Sequence, residues 1–147
     1  MLSVKIEGLD KFQKSLDRLN GARGVVMKAA LQAGLMVLEG QVKQNIRDAD
    51  LIDTGNLLNN WKQEVRADYA ALVTDTPYAA IHEYGGVIRA RGGGWLTFQT
   101  KDGAWHRVKE VTMPARPYIR PAIDEHRDEI MGAVQAKVEE MLEAMLK

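Results

Sequence analysis

Few residues in this sequence stand at spacings that could do chemistry. His82 is followed by Glu83, but position 86 is glycine, so the second histidine of a helical zinc-hydrolase pair is missing. His82, His106 and His126 lie at unrelated spacings and define no metal site. Asp48, Asp50 and Asp53 superficially resemble a calcium loop. The match fails at Ile52, at Asp53 where the sharp-turn glycine is needed, and at Asn59 in place of the final glutamate. These aspartates read as capping and loop residues. Gly92, Gly93 and Gly94 are not followed by Lys-Ser or Lys-Thr, so no phosphate cradle is formed. Ser3 and Ser15 are the only serines, and neither has triad partners. The chain has no cysteine, which removes thiolate metal sites, disulfides and cysteine nucleophiles. No catalytic, metal or cofactor site is expected, and the chain reads as a non-enzyme.

Binding chemistry is more evident. From Arg89 to Arg120, Arg and Lys alternate with Trp95, Phe98 and Trp105. Such a stretch suits a stacking platform for single-stranded nucleic acid. It equally suits a protein interface, where Arg, Trp and Tyr concentrate binding energy. It also suits a sheet with one core face and one solvated cationic face. The candidate interface residues are Arg89, Arg91, Trp95, Trp105, Arg107, Lys109, Arg116, Tyr118 and Arg120. Arg116 and Arg120 sit in a stiff proline frame, and arginine can bind carboxylates bidentately where lysine cannot.

These residues need elements to position them. Val4 and Ile6 alternate in a short strand, Ser3 to Glu7. Leu9, Phe12, Leu16 and Leu19 have helical spacing, ended by Asn20-Gly21. A long helix is predicted from about Gly24 to Asp48, with Met27, Leu31, Leu35, Leu38, Val42 and Ile46 as its apolar stripe. Asp53 or Thr54 is the expected cap of a short helix that follows. Trp61, Gln63 and Val65 share one face of a strand, with Ala71 to Thr74 as its antiparallel partner. Pro77 is expected at the first position of a helix running from Tyr78 to Tyr84 and stopped by Gly85-Gly86, with Tyr78, Glu83 and Tyr84 packing it onto the sheet. Val87 to Arg91 reads as a strand. The three glycines then read as a mobile loop.

Trp95–Thr100 and Trp105–Val111 read as a hairpin around Lys101-Asp102-Gly103. A three-residue loop with Gly103 left-handed sets Leu96 and Phe98 with Val108 and His106, giving one apolar face. A two-residue turn mixes the faces. Met113 to Pro121 is extended, and from Ala122 a terminal helix carries Ile123, Ile130, Val134, Val138, Met141 and Met145. The fold class is α+β: an antiparallel sheet with a hairpin, packed against a long central helix and a C-terminal helix. One domain is expected over 1–147, with a mobile loop and hairpin at about 86–112.

The chain has 147 residues, 46% of them hydrophobic, which suffices for one packed core. Twenty basic and twenty acidic side chains cancel. That balance disfavours a general nucleic-acid binder. The cancellation hides segregation: residues 1–84 carry net −1, 85–121 net +5 and 122–147 net −4. The basic middle and acidic tail are complementary surfaces, within a chain or between copies. No uninterrupted apolar run approaches the ~20 residues of a membrane span, and the N-terminal residues show no signal-peptide pattern. The expectation is a soluble, intracellular protein without membrane contact.

Three ordered segments carry a resemblance: Leu51-Ile52-Asp53-Thr54-Gly55-Asn56-Leu57-Leu58, Thr76-Pro77-Tyr78-Ala79-Ala80-Ile81-His82-Glu83-Tyr84-Gly85-Gly86, and Met113-Pro114-Ala115-Arg116-Pro117-Tyr118-Ile119-Arg120-Pro121-Ala122. In this order the chain resembles the tail-completion family of tailed bacteriophages, small neck proteins also described as minor tail proteins. The 92–94 glycines and the Trp95–Val111 hairpin are the least family-like part. The motif residues Asp53, Thr54, Gly55, Tyr78, Glu83, Tyr84, Gly85, Pro117 and Pro121 read as mainly structural. The resemblance implies a structural virion protein of a phage or prophage. It implies a ring at the head–tail junction, with copies of itself, head-closure or connector proteins, and tail-tube or tail-terminator proteins as partners. The implied location is the virion neck, reached by assembly in the host cytoplasm. A tail-terminator subunit and a nucleic-acid-binding module using 89–120 are the alternatives.

Overall fold

The computed structural model describes residues 1–6 and 21–146. The helix expected over Leu9–Leu19 lies outside them. Strand β1 (Leu2–Ile6) leads to helix α1 (Arg23–Asp48) and a single-turn helix α2 (Asn56–Asn59). Strands β2 (Lys62–Val65) and β3 (Ala70–Thr74) follow, then helix α3 (Ala79–Tyr84) and strand β4 (Gly86–Arg89). A 3-10 turn, Arg91–Gly93, precedes β5 (Leu96–Gln99), β6 (Trp105–Val108) and β7 (Glu110–Met113). Helix α4 (Arg120–Leu146) completes the α+β fold, starting two residues earlier than its sequence pattern suggests.

All six expected stripe residues of α1 are buried, and Val26, Ala30 and Gly34 widen the stripe. Gly34 sits where the helices are closest: a Cβ there would lie 2.7 Å from Val134 Cγ2 of α4. The missing side chain is what lets α4 approach. Each fully buried Leu or Ile at this contact contributes roughly 1.5–3 kcal/mol. By length and composition alone α1 could also cross a membrane. Here its apolar stripe builds the core. In α4, Ala122, Ile130, Val134 and Val138 are buried, whereas Met145 of the expected stripe is exposed. The α4 backbone leaves helical geometry at His126, so its first turns bend away from the rest.

The three-stranded antiparallel sheet has the order β1-β3-β2, with Leu72 opposite both Val4 and Gln63. Every residue of the central β3 is buried. The remaining strands form two antiparallel pairs, β4 with β7 and β5 with β6. They follow one another along a single ribbon. The stretch expected as one strand over Trp105–Val111 divides at Lys109, where it changes partner from β5 to β4. The three-residue register is the one observed: Leu96 pairs with Val108 and Phe98 with His106. Gly103 is left-handed at φ 86°, and its N–H donates to Thr100 O.

Candidate functional site

The second and third motifs meet at a buried carboxylate. Pro117 and Pro121 bracket Tyr118, Ile119 and Arg120, whose N–H groups stand at the start of α4. Early helix N–H groups have no intrahelical acceptor. Here Glu83 supplies one from the last turn of α3. Its Oε2 accepts from Tyr118 N–H at 2.7 Å and Ile119 N–H at 2.9 Å. Its Oε1 accepts from Arg120 N–H at 3.0 Å and Arg120 Nε at 3.1 Å, while an Arg120 Nη donates to Glu83 O at 3.0 Å. Glu83 is fully buried. Burial alone would raise its pKa, but the three backbone donors and the guanidinium outweigh that and hold it below the ordinary carboxylate value. The carboxylate also lies at the positive end of α4.

Neighbouring groups lock the same junction. Tyr118 has no exposed surface, donates its hydroxyl to Ala79 O at 2.7 Å and meets Trp61 edge-on at 6.2 Å between ring centroids. Asn45 Nδ2 of α1 donates to Tyr118 O at 3.0 Å. Burial, with the Glu83 charge and Tyr84 nearby, pushes the Tyr118 phenol well above its ordinary pKa. Arg116 N–H donates to His82 O at 2.7 Å. Gly85 has φ 71°, and a Cβ there would stand 2.8 Å from Ala115 N. Only glycine fits both the backbone and the space.

Several expectations are corrected here. Tyr118 is not an interface residue, because its ring and hydroxyl are used inside the core. Arg120 serves chiefly to close the Glu83 junction, with its guanidinium also 5.2 Å from the Tyr84 ring. Tyr78 and Tyr84 do not pack α3 onto the sheet; they are 60% and 61% exposed. Glu83 anchors α3 instead, by hydrogen bonds rather than apolar packing. Pro77 does not open α3: Tyr78 intervenes at φ 65°, and the helix begins at Ala79. The N-cap of α2 is Gly55 at φ 83°, not Asp53 or Thr54, since Thr54 Oγ1 only accepts a long 3.4 Å bond from Asn56 N–H. The first and second motifs do converge. Asp53, Thr54, Gly55, Thr76, Tyr78 and His82 line one cavity of about 250 Å³. Burial, with Arg116 nearby, lowers the His82 pKa.

Spacing alone does not mark Glu83 as the anchor of this junction. A signal existed. Residues 113–119 contain no Ser, Thr, Asp or Asn to cap α4, so its first N–H groups need an acceptor from elsewhere.

The remaining candidates lie on the ribbon. Six residues, 90–95, stand opposite Lys109 alone, between the Arg89–Glu110 and Leu96–Val108 pairs. Lys109 organises this insertion: its Nζ donates to Gly93 O at 2.6 Å and Gly94 O at 3.0 Å, and lies 4.1 Å from the Trp95 ring centre. The glycine run therefore takes a 3-10 turn with Gly92 left-handed. Arg107 covers the same ring at 5.0 Å. Trp105, on the same edge of β6, is 70% exposed. The other face carries Ile88, Leu96, Phe98, Val111 and Met113 around a cavity of about 260 Å³, with Tyr78 at its side. His106 stacks on Phe98. Arg89 pairs with Glu110 at 3.1 Å, and Lys101 at the hairpin tip pairs with Asp50 beyond α1, holding that carboxyl below its ordinary pKa. Arg91, Arg107 and Lys109 make no ion pair among the described residues, whereas the Arg116 charge acts on Asp50. Nor does any group of His, Asp and Glu among the described residues come together as a metal site.

Residues 36–147 match the model of the phage virion morphogenesis family. The chain belongs to that family. The matched span includes all three motifs, the ribbon and α4. The chain is also 27% identical, over 134 residues, to the Mu-like prophage FluMu G protein 2 of Haemophilus influenzae, covering 81% of this chain and 83% of that protein. No solved structure matches. This member of the virion morphogenesis family thus has a structural role in building a phage particle. The resemblance seen in the three ordered motifs points to the same kind of protein.

Proposed function

We propose that this virion morphogenesis protein acts as a single domain, assembles as a ring at the head–tail junction, and completes or joins the tail without turning over a substrate. The observation that carries this reading is the ribbon. It projects cations beside aromatic rings that stay exposed in the single chain. A ring subunit makes head-to-tail contacts and so needs two different, complementary faces. The +5 and −4 segments supply them. Its partners are copies of itself, a head-closure or connector protein on one side, and a tail-tube or tail-terminator protein on the other. Its place is the virion neck, reached in the host cytoplasm during assembly. The test is deletion of the gene from its phage or prophage, followed by electron microscopy of the particles. Separate filled heads and normal-length tails support the reading. Tails of uncontrolled length point to a tail terminator instead. Normal, infectious particles refute both.

A further inference from the structure

We infer that the cationic aromatic edge of the ribbon docks on the first turns of α4 in a second copy of the chain; this deepens the ring reading and rests on it. The cations are Arg107, whose guanidinium covers the Trp95 ring and which lies two residues after Trp105 on β6, and Arg91, which opens the 3-10 turn before Trp95. The acceptors are Asp124, Glu125 and Asp128, exposed on α4 ahead of and just past its bend at His126.

Three observations carry this. First, the opposite charges do not meet within one copy: no ion pair among the described residues links the two groups or engages either of them. Neighbouring carboxylates on α4 are already engaged, Glu129 with His126 and Glu140 with Lys137. Asp124, Glu125 and Asp128 are the acidic side chains at the start of α4, and no ion pair among the described residues engages them. Second, the rings are exposed beside the cations, at 50% for Trp95 and 70% for Trp105. Arginine flanked by tryptophan, once covered and desolvated, has the composition of a binding hot spot. Third, a two-stranded ribbon has unpaired edges and is marginal without something packed against it. Its fixed points are the Glu83 junction at its base and the Lys101–Asp50 pair at its tip, so its length between them is available. Where the basic patch of one copy meets the acidic patch of the next head-to-tail, the contact is heterologous, and such contacts close into a ring when the rotation between copies permits.

The test is a charge swap in the full-length chain. One variant carries Arg91→Glu and Arg107→Glu, the other Asp124→Lys and Asp128→Lys, with circular dichroism confirming that each is folded. Self-association is read by sedimentation velocity from micromolar to millimolar concentrations. The wild type is expected to associate, less so in high salt. Each variant alone opposes like charges across the contact and is expected to associate about tenfold more weakly or worse. An equimolar mixture restores opposite charges at every contact and should recover wild-type association as an alternating assembly. The single changes Arg107→Gln and Asp128→Asn, which only neutralise, should give smaller losses and cover the case of a swap variant that does not fold. Unchanged association in the variants, no recovery on mixing, or a wild type that stays monomeric throughout overturns the inference. So does salt-sensitive binding of a DNA oligonucleotide that the Arg91→Glu, Arg107→Glu variant loses while its self-association is intact. None of these outcomes touches the junction role, which the deletion particles decide separately.

Discussion

Glu83 and Lys109 each gather a loop by several bonds, yet in opposite surroundings. Glu83 lies in the core, and every bond it accepts comes from a segment 35 or more residues away. Lys109 lies at the surface, and it binds the carbonyls of a loop in its own ribbon. The first ties α3 to the start of α4 and so holds two distant parts of the chain in one body. The second shapes a local insertion and displays Trp95. Both sit within or beside the cationic 85–121 segment, so net charge alone does not distinguish them. Burial does. A charge satisfied in the interior serves stability, whereas a charge left unpaired beside exposed rings is available to another molecule.

Replacing Glu83 tests the first half of that contrast most severely. Glu83→Ala leaves Arg120 and the N–H groups of Tyr118 and Ile119 without their acceptor, and is expected to cost about 3 kcal/mol or more by urea denaturation. Glu83→Gln keeps the shape but turns an amide NH₂ toward donors. The folded-state pKa of Glu83 is depressed, so its contribution is present at neutral pH and is lost as pH falls below the unfolded carboxyl value of about 4.3 and through the folded one. The stability gap between wild type and Glu83→Gln should therefore narrow on acidification through that window. A gap that stays constant from neutral pH into strong acid would show that the carboxylate charge is not what holds the junction.

Two smaller changes probe the same junction from its edges. Gly85→Ala forces a side chain into a left-handed residue against the Ala115 backbone, at an expected cost of about 2 kcal/mol. Tyr118→Phe keeps the ring on Trp61 but leaves Ala79 O unpaired, for about 1 kcal/mol. Both are read as shifts in thermal or urea midpoint. Neither should alter self-association of the folded protein if the junction and the ribbon are independent.

How much of this was legible beforehand follows from the range of the interactions. The α1 stripe repeats every three or four residues, so one face of a helix could be named from spacing alone, and every named residue is buried. The hairpin register followed from matching two short patterns across one turn. Glu83 gave no such pattern. Its significance depends on an uncapped helix start in another motif, and a carboxylate in a short helix otherwise reads as solvated. Tyr118 failed for a related reason: Arg and Tyr between prolines have the composition of an interface, and only the cavity formed by Trp61, Ala79 and Asn45 shows the ring turned inward. The Lys109 insertion was hidden because local alternation predicted an unbroken strand, and nothing nearby reports a change of partner.

Trp105 supplies the smallest expected effect on stability and the sharpest test of the contrast. Its ring is mostly in solvent, so Trp105→Ala removes little buried area and should change unfolding free energy by no more than about 0.5 kcal/mol. If the exposed rings exist for a neighbouring copy, the same variant should lose self-association while its melting curve overlays the wild type. The ring's partner would then be missing, not its own fold. A loss of stability matching that of Tyr118→Phe would place Trp105 with the buried junction and erase the division between the two regions. Unchanged stability with unchanged association would leave the division standing but remove Trp105 from the contact, so that Arg91, Arg107 and Trp95 would have to hold a neighbouring α4 without it.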